Sequence, residues 1–274
     1  MRIHAFSPME QRPVERAIYE NPTAVAGMQQ MDNQALIRDL AHSAHVWVAE
    51  TDTVAGEDML AAAFEMLSPE EASRCERFRF KADRNLYQLS HAMLRRTLSN
   101  YATVDPAAWV FSRRQHGRPE IDSPDPGLPL RFNLTHTRGL VACVVTRSID
   151  CGVDAEQLAM RRHAMGIAER MFAREELQVL RGLSGQAFVE QFYACWTLRE
   201  AYCKARGVCL ANAGKHFHFE RNDSARWQIR FDADYPAGSD WTLSVEHVHD
   251  SHLLAVAVNA KDTCIRMLEF DDWG

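Results

Sequence analysis

The chain has 274 residues, 46% of them hydrophobic and 25% charged, enough for one large domain or two smaller ones with a real core, which excludes disorder as its overall state. No stretch approaches the roughly 18 to 20 consecutive apolar residues that cross a bilayer, the start carries no apolar secretion core, and a net charge of −6 disfavours a general nucleic-acid binder. A soluble, cytoplasmic monomer with no nucleic-acid or membrane partner is expected, and seven cysteines without a Cys-x-x-Cys pair argue against a disulfide scaffold or a structural zinc site.

Residues 1–43 are weakly patterned, with Pro8, Pro13, Pro22 and one short helical run at 32–42, and read as an N-terminal extension. From residue 45 the elements come twice. A strand over 45–50 has a counterpart over 151–156. The helix start Ser68-Pro69-Glu70-Glu71, with a serine cap and a proline in the first turn, has a counterpart about 105 positions later in Ala173-Arg174-Glu175-Glu176. A second helix follows in each half, over 86–98 with Leu86, Leu89, Met93 and Leu94 at helical spacing, and over 188–205 with Phe192, Cys195, Trp196 and Leu198. Apolar strands over 140–145 and 253–258 close the halves. The pattern predicts an α+β protein of two similar halves, an intramolecular pseudo-dimer, divided as 44–150 and 151–260 with a tail from 261, and a cleft between the halves as the ligand site.

Charge is unevenly spread along this plan. Residues 74–118 hold ten Arg or Lys against three acids, so the other 229 residues carry −13. A dense arginine segment in an acidic protein is either a solvated face or what a compact polyanion such as a phosphorylated small molecule requires.

Three constellations carry chemistry. Gly152-Val153-Asp154-Ala155-Glu156 puts two carboxylates at i and i+2 of a strand, on one face, where they repel unless a cation separates them; oxygen ligands with room for phosphate describe magnesium, and the alternative is the polar side of an edge strand. Glu200 and Lys204 stand at i and i+4 of a helix that Gly207 terminates, with apolar flanks that turn this face inward; the alternative is an exposed ion pair. Arg131-Phe132-Asn133-Leu134-Thr135-His136-Thr137 reads as a polar turn between apolar strands that offers an amide, a hydroxyl and an imidazole to a phosphate. His247 and His249 alternate on a strand and read as exposed strand residues rather than a metal pair.

Taken in order, Gly117-Arg118-Pro119, Phe132-Asn133-Leu134-Thr135-His136, Gly152-Val153-Asp154-Ala155-Glu156 and the run from Trp196 to Gly207 closely resemble the signature of 4′-phosphopantetheinyl transferases of the large, surfactin-synthetase-activating type. The resemblance implies a magnesium enzyme with two similar halves that moves the phosphopantetheine arm of coenzyme A to a serine of an apo acyl or peptidyl carrier protein and releases adenosine 3′,5′-bisphosphate. It makes Asp154, Glu156 and Glu200 the magnesium ligands, Glu200 also the base for the carrier serine, and Lys204 the partner of the pyrophosphate. Thr135 and His136 would touch the coenzyme A phosphates with Asn133 beside them, and Arg74, Arg113 and Arg118 would hold the nucleotide end and its 3′-phosphate. Arg118, Thr135 and Arg199 stand where lysine, serine and lysine are usual. A rival reading keeps the fold as a catalytically silent module that binds coenzyme A or a carrier protein, and the presence of all three carboxylates and the lysine weighs against it.

Overall fold

In the computed structural model the described residues are 32–51, 56–113, 118–210, 215–233 and 240–273. Residues 1–31, the side chain of Arg113 and Gly117 lie outside them. The elements run α1 (Asn33–Asp39), β1 (Ser43–Glu50), α2 (Glu57–Glu65), α3 (Pro69–Glu76), α4 (Lys81–Ser99), β2 (Val110–Arg113), β3 (Pro119–Ser123), β4 (Leu130–Thr137), β5 (Leu140–Arg147) and β6 (Cys151–Gln157). They continue as α5 (Ala164–Met171), α6 (Arg174–Arg181), α7 (Gly185–Arg206), β7 (Phe217–Arg221), β8 (Trp227–Phe231), β9 (Thr242–Val248), β10 (His252–Val258) and β11 (Cys264–Glu269).

Strand alternation builds four layers. One sheet has the order β11-β1-β5-β4 and another β6-β10-β9. Ala44, Val46, Val48, Leu140, Ala142 and Val144 of the first sheet meet Val153, Ala155, Leu254 and Val256 of the second in a core between the sheets. The other face of the first sheet, with Val141, Cys143 and Val145, takes Leu89, Met93 and Leu94 of α4. The outer face of the second, with Leu253, Ala255 and Ala257, takes Leu198, Ala201 and Ala205 of α7. Each half is thus a sheet with one long helix on its outer side, and the halves join sheet to sheet.

A capping device recurs with the layers. Ser68 and Glu71 close a reciprocal capping box at the start of α3, and Glu71 also takes the Arg95 guanidinium of α4 at 2.7 Å. About 105 positions on, Glu176 accepts from the Ala173 N–H at the start of α6 and pairs with Arg199 of α7. Alanine has no hydroxyl, so only half of the box forms there.

Two expectations are corrected. Residues 131–137 form strand β4 rather than a turn: they pair antiparallel with β5 across the tight turn at Gly139, because alternation gives Phe132 and Leu134 an apolar face to fill against the first core. Residues 264–269, read as tail, form β11, parallel to β1, and Phe270 and Trp273 are buried in the first-half core. Short α1 joins the same core through Leu36. All seven cysteines are unpaired, five of them buried.

Candidate active site

Strand β6 and helix α7 touch closely. A Cβ on Gly152 would lie 2.0 Å from the Ala201 carbonyl oxygen and 2.7 Å from the Ala205 nitrogen, so only glycine fits there. With Val153 and Ala155 facing the core between the sheets, period-two alternation turns Asp154 and Glu156 towards α7. Helix α7 ends where expected, at Gly207 in the left-handed conformation (φ +63°), with its N–H on the Cys203 and Lys204 carbonyls.

Lys204 gathers the site. Its Nζ donates to Asp154 Oδ1 at 2.7 Å, the Val153 carbonyl at 3.1 Å and Thr135 Oγ1 at 3.2 Å. Thr135 in turn donates to Asp154 Oδ1 at 3.2 Å. One contact set therefore joins β4 of the first half to β6 and α7 of the second. Further along the antiparallel crossing, Trp196 Nε1 donates to Glu156 Oε1 at 3.2 Å, and Arg161 reaches Glu156 Oε2 at 3.0 Å. Glu200 lies one turn from each contact on the same helix. Burial lifts its carboxyl above the usual range, Asp154 and Glu156 add to the rise, and Lys204 opposes it. Burial likewise raises Asp154 in spite of Lys204, and raises Glu156 in spite of Arg161.

The polar residues of β4 divide by face. Asn133 is a strut: its Oδ1 accepts the Val153 N–H at 3.0 Å, bonding β4 to β6. His136 points the other way, towards α4. It reaches solvent, but enough protein surrounds it that burial lowers its pKa, and His91 and Lys204 lower it further. His91 was not singled out in the sequence, since nothing local marks a helix residue that meets a distant strand. It bonds Glu71 at 2.8 Å and packs against the Tyr87 ring at a tilt of 34°, 4.2 Å between ring centroids. Exposed Arg74 lies over the other end of this row, 5.8 Å from the Tyr87 ring centre. Arg74 and Lys204 are thus permanent cations of this neighbourhood, with the imidazoles of His91 and His136 between them. Arg118 is turned inward, bonded to the Ala205 carbonyl.

Asp154, Glu156 and Glu200 offer oxygen alone, with neither thiol nor imidazole among them, which suits a hard divalent cation. Burial is the main cause that raises all three carboxyl groups, and repulsion between carboxylates adds to it at Glu156 and Glu200. Among the described residues no three His, Cys, Asp or Glu side chains already converge as a metal cluster, because Asp154 is turned to Lys204 and Glu156 to Trp196 and Arg161. The donor set fits magnesium in kind, with Lys204 as the resident counter-charge.

Residues 150–257 match the model of the 4′-phosphopantetheinyl transferase superfamily, and residues 55–148 that of the 4′-phosphopantetheinyl transferase N-terminal region. Over 63% of this chain and 72% of the relative, it is 30% identical to the 4′-phosphopantetheinyl transferase HetI of Nostoc sp. (strain PCC 7120 / SAG 25.82 / UTEX 2576). The chain belongs to the 4′-phosphopantetheinyl transferase superfamily. Membership makes it a transferase. It is also 29% identical to the 4′-phosphopantetheinyl transferase Sfp of Bacillus subtilis (strain 168), over 53% of this chain and 62% of that one. Among solved structures it is similar, at 21% identity and a TM-score of 0.36 over 40% of this chain and 95% of the other, to a holo-(acyl-carrier-protein) synthase from Bacillus anthracis str. Ames in complex with CoA (3′,5′-ADP). Among the described residues no helix is long and apolar enough to cross a membrane.

Proposed function

We propose that this transferase moves the 4′-phosphopantetheine arm of coenzyme A to a serine hydroxyl of an apo acyl or peptidyl carrier protein and releases adenosine 3′,5′-bisphosphate, acting as a cytoplasmic monomer. The observation that carries this reading is the convergence of Lys204, Asp154 and Thr135 across the two halves, beside Glu156 and Glu200. Asp154, Glu156 and Glu200 would hold magnesium, which when bound neutralises the pyrophosphate oxygens.

The chain's own residues do the rest. Attack on a phosphoryl group calls for positioning and charge neutralisation more than for covalent help. Glu200 accepts the serine proton, directly or through a water. Lys204 leaves Asp154 for the phosphate oxygens and stabilises the charge that develops on the departing bisphosphate. Thr135 and His136 contact the coenzyme A phosphates from the two faces of β4, and Asn133 keeps that strand on β6. Arg74, together with Arg113, serves the nucleotide end.

The test is incubation with coenzyme A, magnesium and a panel of apo acyl and peptidyl carrier proteins, followed by intact mass. The expected result is a gain of one phosphopantetheine on at least one carrier, lost when its serine is replaced by alanine. No gain on any member overturns the reading.

A further inference from the structure

Arg118 stands apart from the other residues expected to meet phosphate. Its Nη1 donates to the Ala205 carbonyl at 2.7 Å and lies 3.1 Å from Asp150 Oδ1, and its side chain is only 9% exposed. Its Nε is closed off from solvent and has no partner among the described residues. Asp150 also holds Arg131 of β4, whose other nitrogen reaches Glu120 of β3 at 3.1 Å. Two guanidinium groups thus face two carboxylates, a balanced set that leaves little positive potential for an incoming phosphate.

The place of these contacts matters more than their charge. Asp150 immediately precedes β6, which carries Asp154 and Glu156. Ala205 follows Lys204 in the last turn of α7, where helix carbonyls lack intrahelical donors and a cation is favoured. Arg118, just before β3, therefore grips the carboxylate strand and the Glu200–Lys204 helix together. A planar guanidinium reaches two acceptors in fixed directions, which an ammonium does not. The packing at Gly152 is so close that an added Cβ would fall 2.0 Å from the Ala201 carbonyl oxygen, which leaves no slack between the gripped elements.

We infer that Arg118 is a positioning residue for the transferase: through Asp150 and the Ala205 carbonyl it sets β6 against α7, so that Lys204 stands on Asp154 and Thr135, and it does not bind the substrate's 3′-phosphate. The role rests on the reading proposed above.

The test compares wild type, Arg118→Met, Arg118→Lys and Asp150→Asn with coenzyme A and with 3′-dephospho-coenzyme A, on the carrier protein that the wild-type enzyme loads best, with melting temperatures alongside. Misplacement of a reacting group by a fraction of an ångström should lower kcat of Arg118→Met by about ten- to a hundredfold. The loss is equal on both substrates, with KM little changed. Arg118→Lys recovers part of it. Asp150→Asn, a site where no anion binds, reproduces part of the kcat loss and adds little to Arg118→Met in the double variant. If Arg118→Met fails to fold, Asp150→Asn carries the comparison. A KM rise for coenzyme A alone, with 3′-dephospho-coenzyme A spared, overturns the role and makes Arg118 a phosphate ligand. Unchanged kcat in both variants overturns it as well. In either case the wild type still loads the carrier, which separates this failure from failure of the transferase reading.

Discussion

Arg199 of α7 closes on Glu176 of α6 in an ion pair to which water has no access from either side. The guanidinium is stacked between aromatic rings, 4.7 Å from the Phe217 centre, 5.3 Å from Phe172 and 5.6 Å from Phe219. Glu176 accepts in addition the N–H groups of Ala173 and Phe219. Arg199 precedes Glu200 in sequence but projects about 100° round the helix from it, so this turn of α7 is anchored to α6 beside the residue that stands near Asp154 and Lys204. Removing one partner of such a pair strands a buried charge. Glu176→Ala should cost about 3 to 5 kcal/mol in urea unfolding. Arg199→Lys keeps the charge but loses the planar stack, and should be destabilised by less than Glu176→Ala while still measurably so. Wild-type stability in Glu176→Ala would show the pair to be dispensable.

Gly152→Ala is expected to act through geometry alone. The added methyl would meet the Ala201 carbonyl, forcing α7 away from β6 at a cost of about 1 to 3 kcal/mol or more. Turnover should fall well beyond the loss of folded protein, since Lys204 travels with the helix. Circular dichroism measured beside carrier loading separates the two effects.

Replacing the acidic and basic groups of α7 should split kinetically. Glu200→Gln removes a base and a proposed metal ligand and should cost on the order of 100-fold or more in kcat. Lys204→Met should lower kcat while coenzyme A binding, followed by calorimetry, changes less, because its contact strengthens as charge develops. Raising magnesium should not rescue Lys204→Met. If Glu200 and Lys204 were only a surface pair, neither change would move the rate.

Acid sensitivity has a defined source in the first half. Burial pushes the Glu71 carboxyl up, but the His91 hydrogen bond and charge, the Ser68 N–H and Arg95 outweigh it and hold the pKa at about 2, against 4.5 as the ordinary value. A carboxyl whose pKa is depressed by folding stabilises the native state above the unfolded value and loses that contribution as pH falls through the folded one. Glu71 therefore contributes on the order of 3 kcal/mol near neutrality, lost progressively between pH 4.5 and 2. Urea midpoints for wild type and Glu71→Gln should differ at pH 6 and converge as pH falls towards 2. A constant difference across that range would contradict the assignment.

The parts of the fold that sequence conveys are those made by near neighbours. Asp154 and Glu156 at i and i+2, Glu200 and Lys204 at i and i+4, and the stop at Gly207 depend on backbone periods of the element itself, and each lies where those periods put it. What escaped depends on distant partners. Strand β11 is short and half exposed, and becomes a strand only beside β1, more than 200 residues earlier. The family resemblance gives Arg118 to the nucleotide end, and the Asp150 carboxylate and the Ala205 carbonyl that meet its Nη1 are brought near only by folding. His91 owes its place to α4 lying across the face of β4, and Asn133 became a strut because β6 presents the Val153 N–H opposite it.

The parallel pairing of β11 with β1 also governs how the chain can be built and divided. The sheet that emerges first during synthesis keeps an unfilled edge and an uncovered apolar face until the last residues arrive, so contacts of the longest sequence separation close it and folding should be slow and late. Cleavage near residue 150 would therefore not release two working modules: the amino-terminal piece would lack β11 and would bare Ala44, Val46 and Val48 to solvent. Although the described residues are arranged as two halves, the first-half sheet is completed by a strand from the far end of the chain, so the two halves should unfold together rather than as separate units.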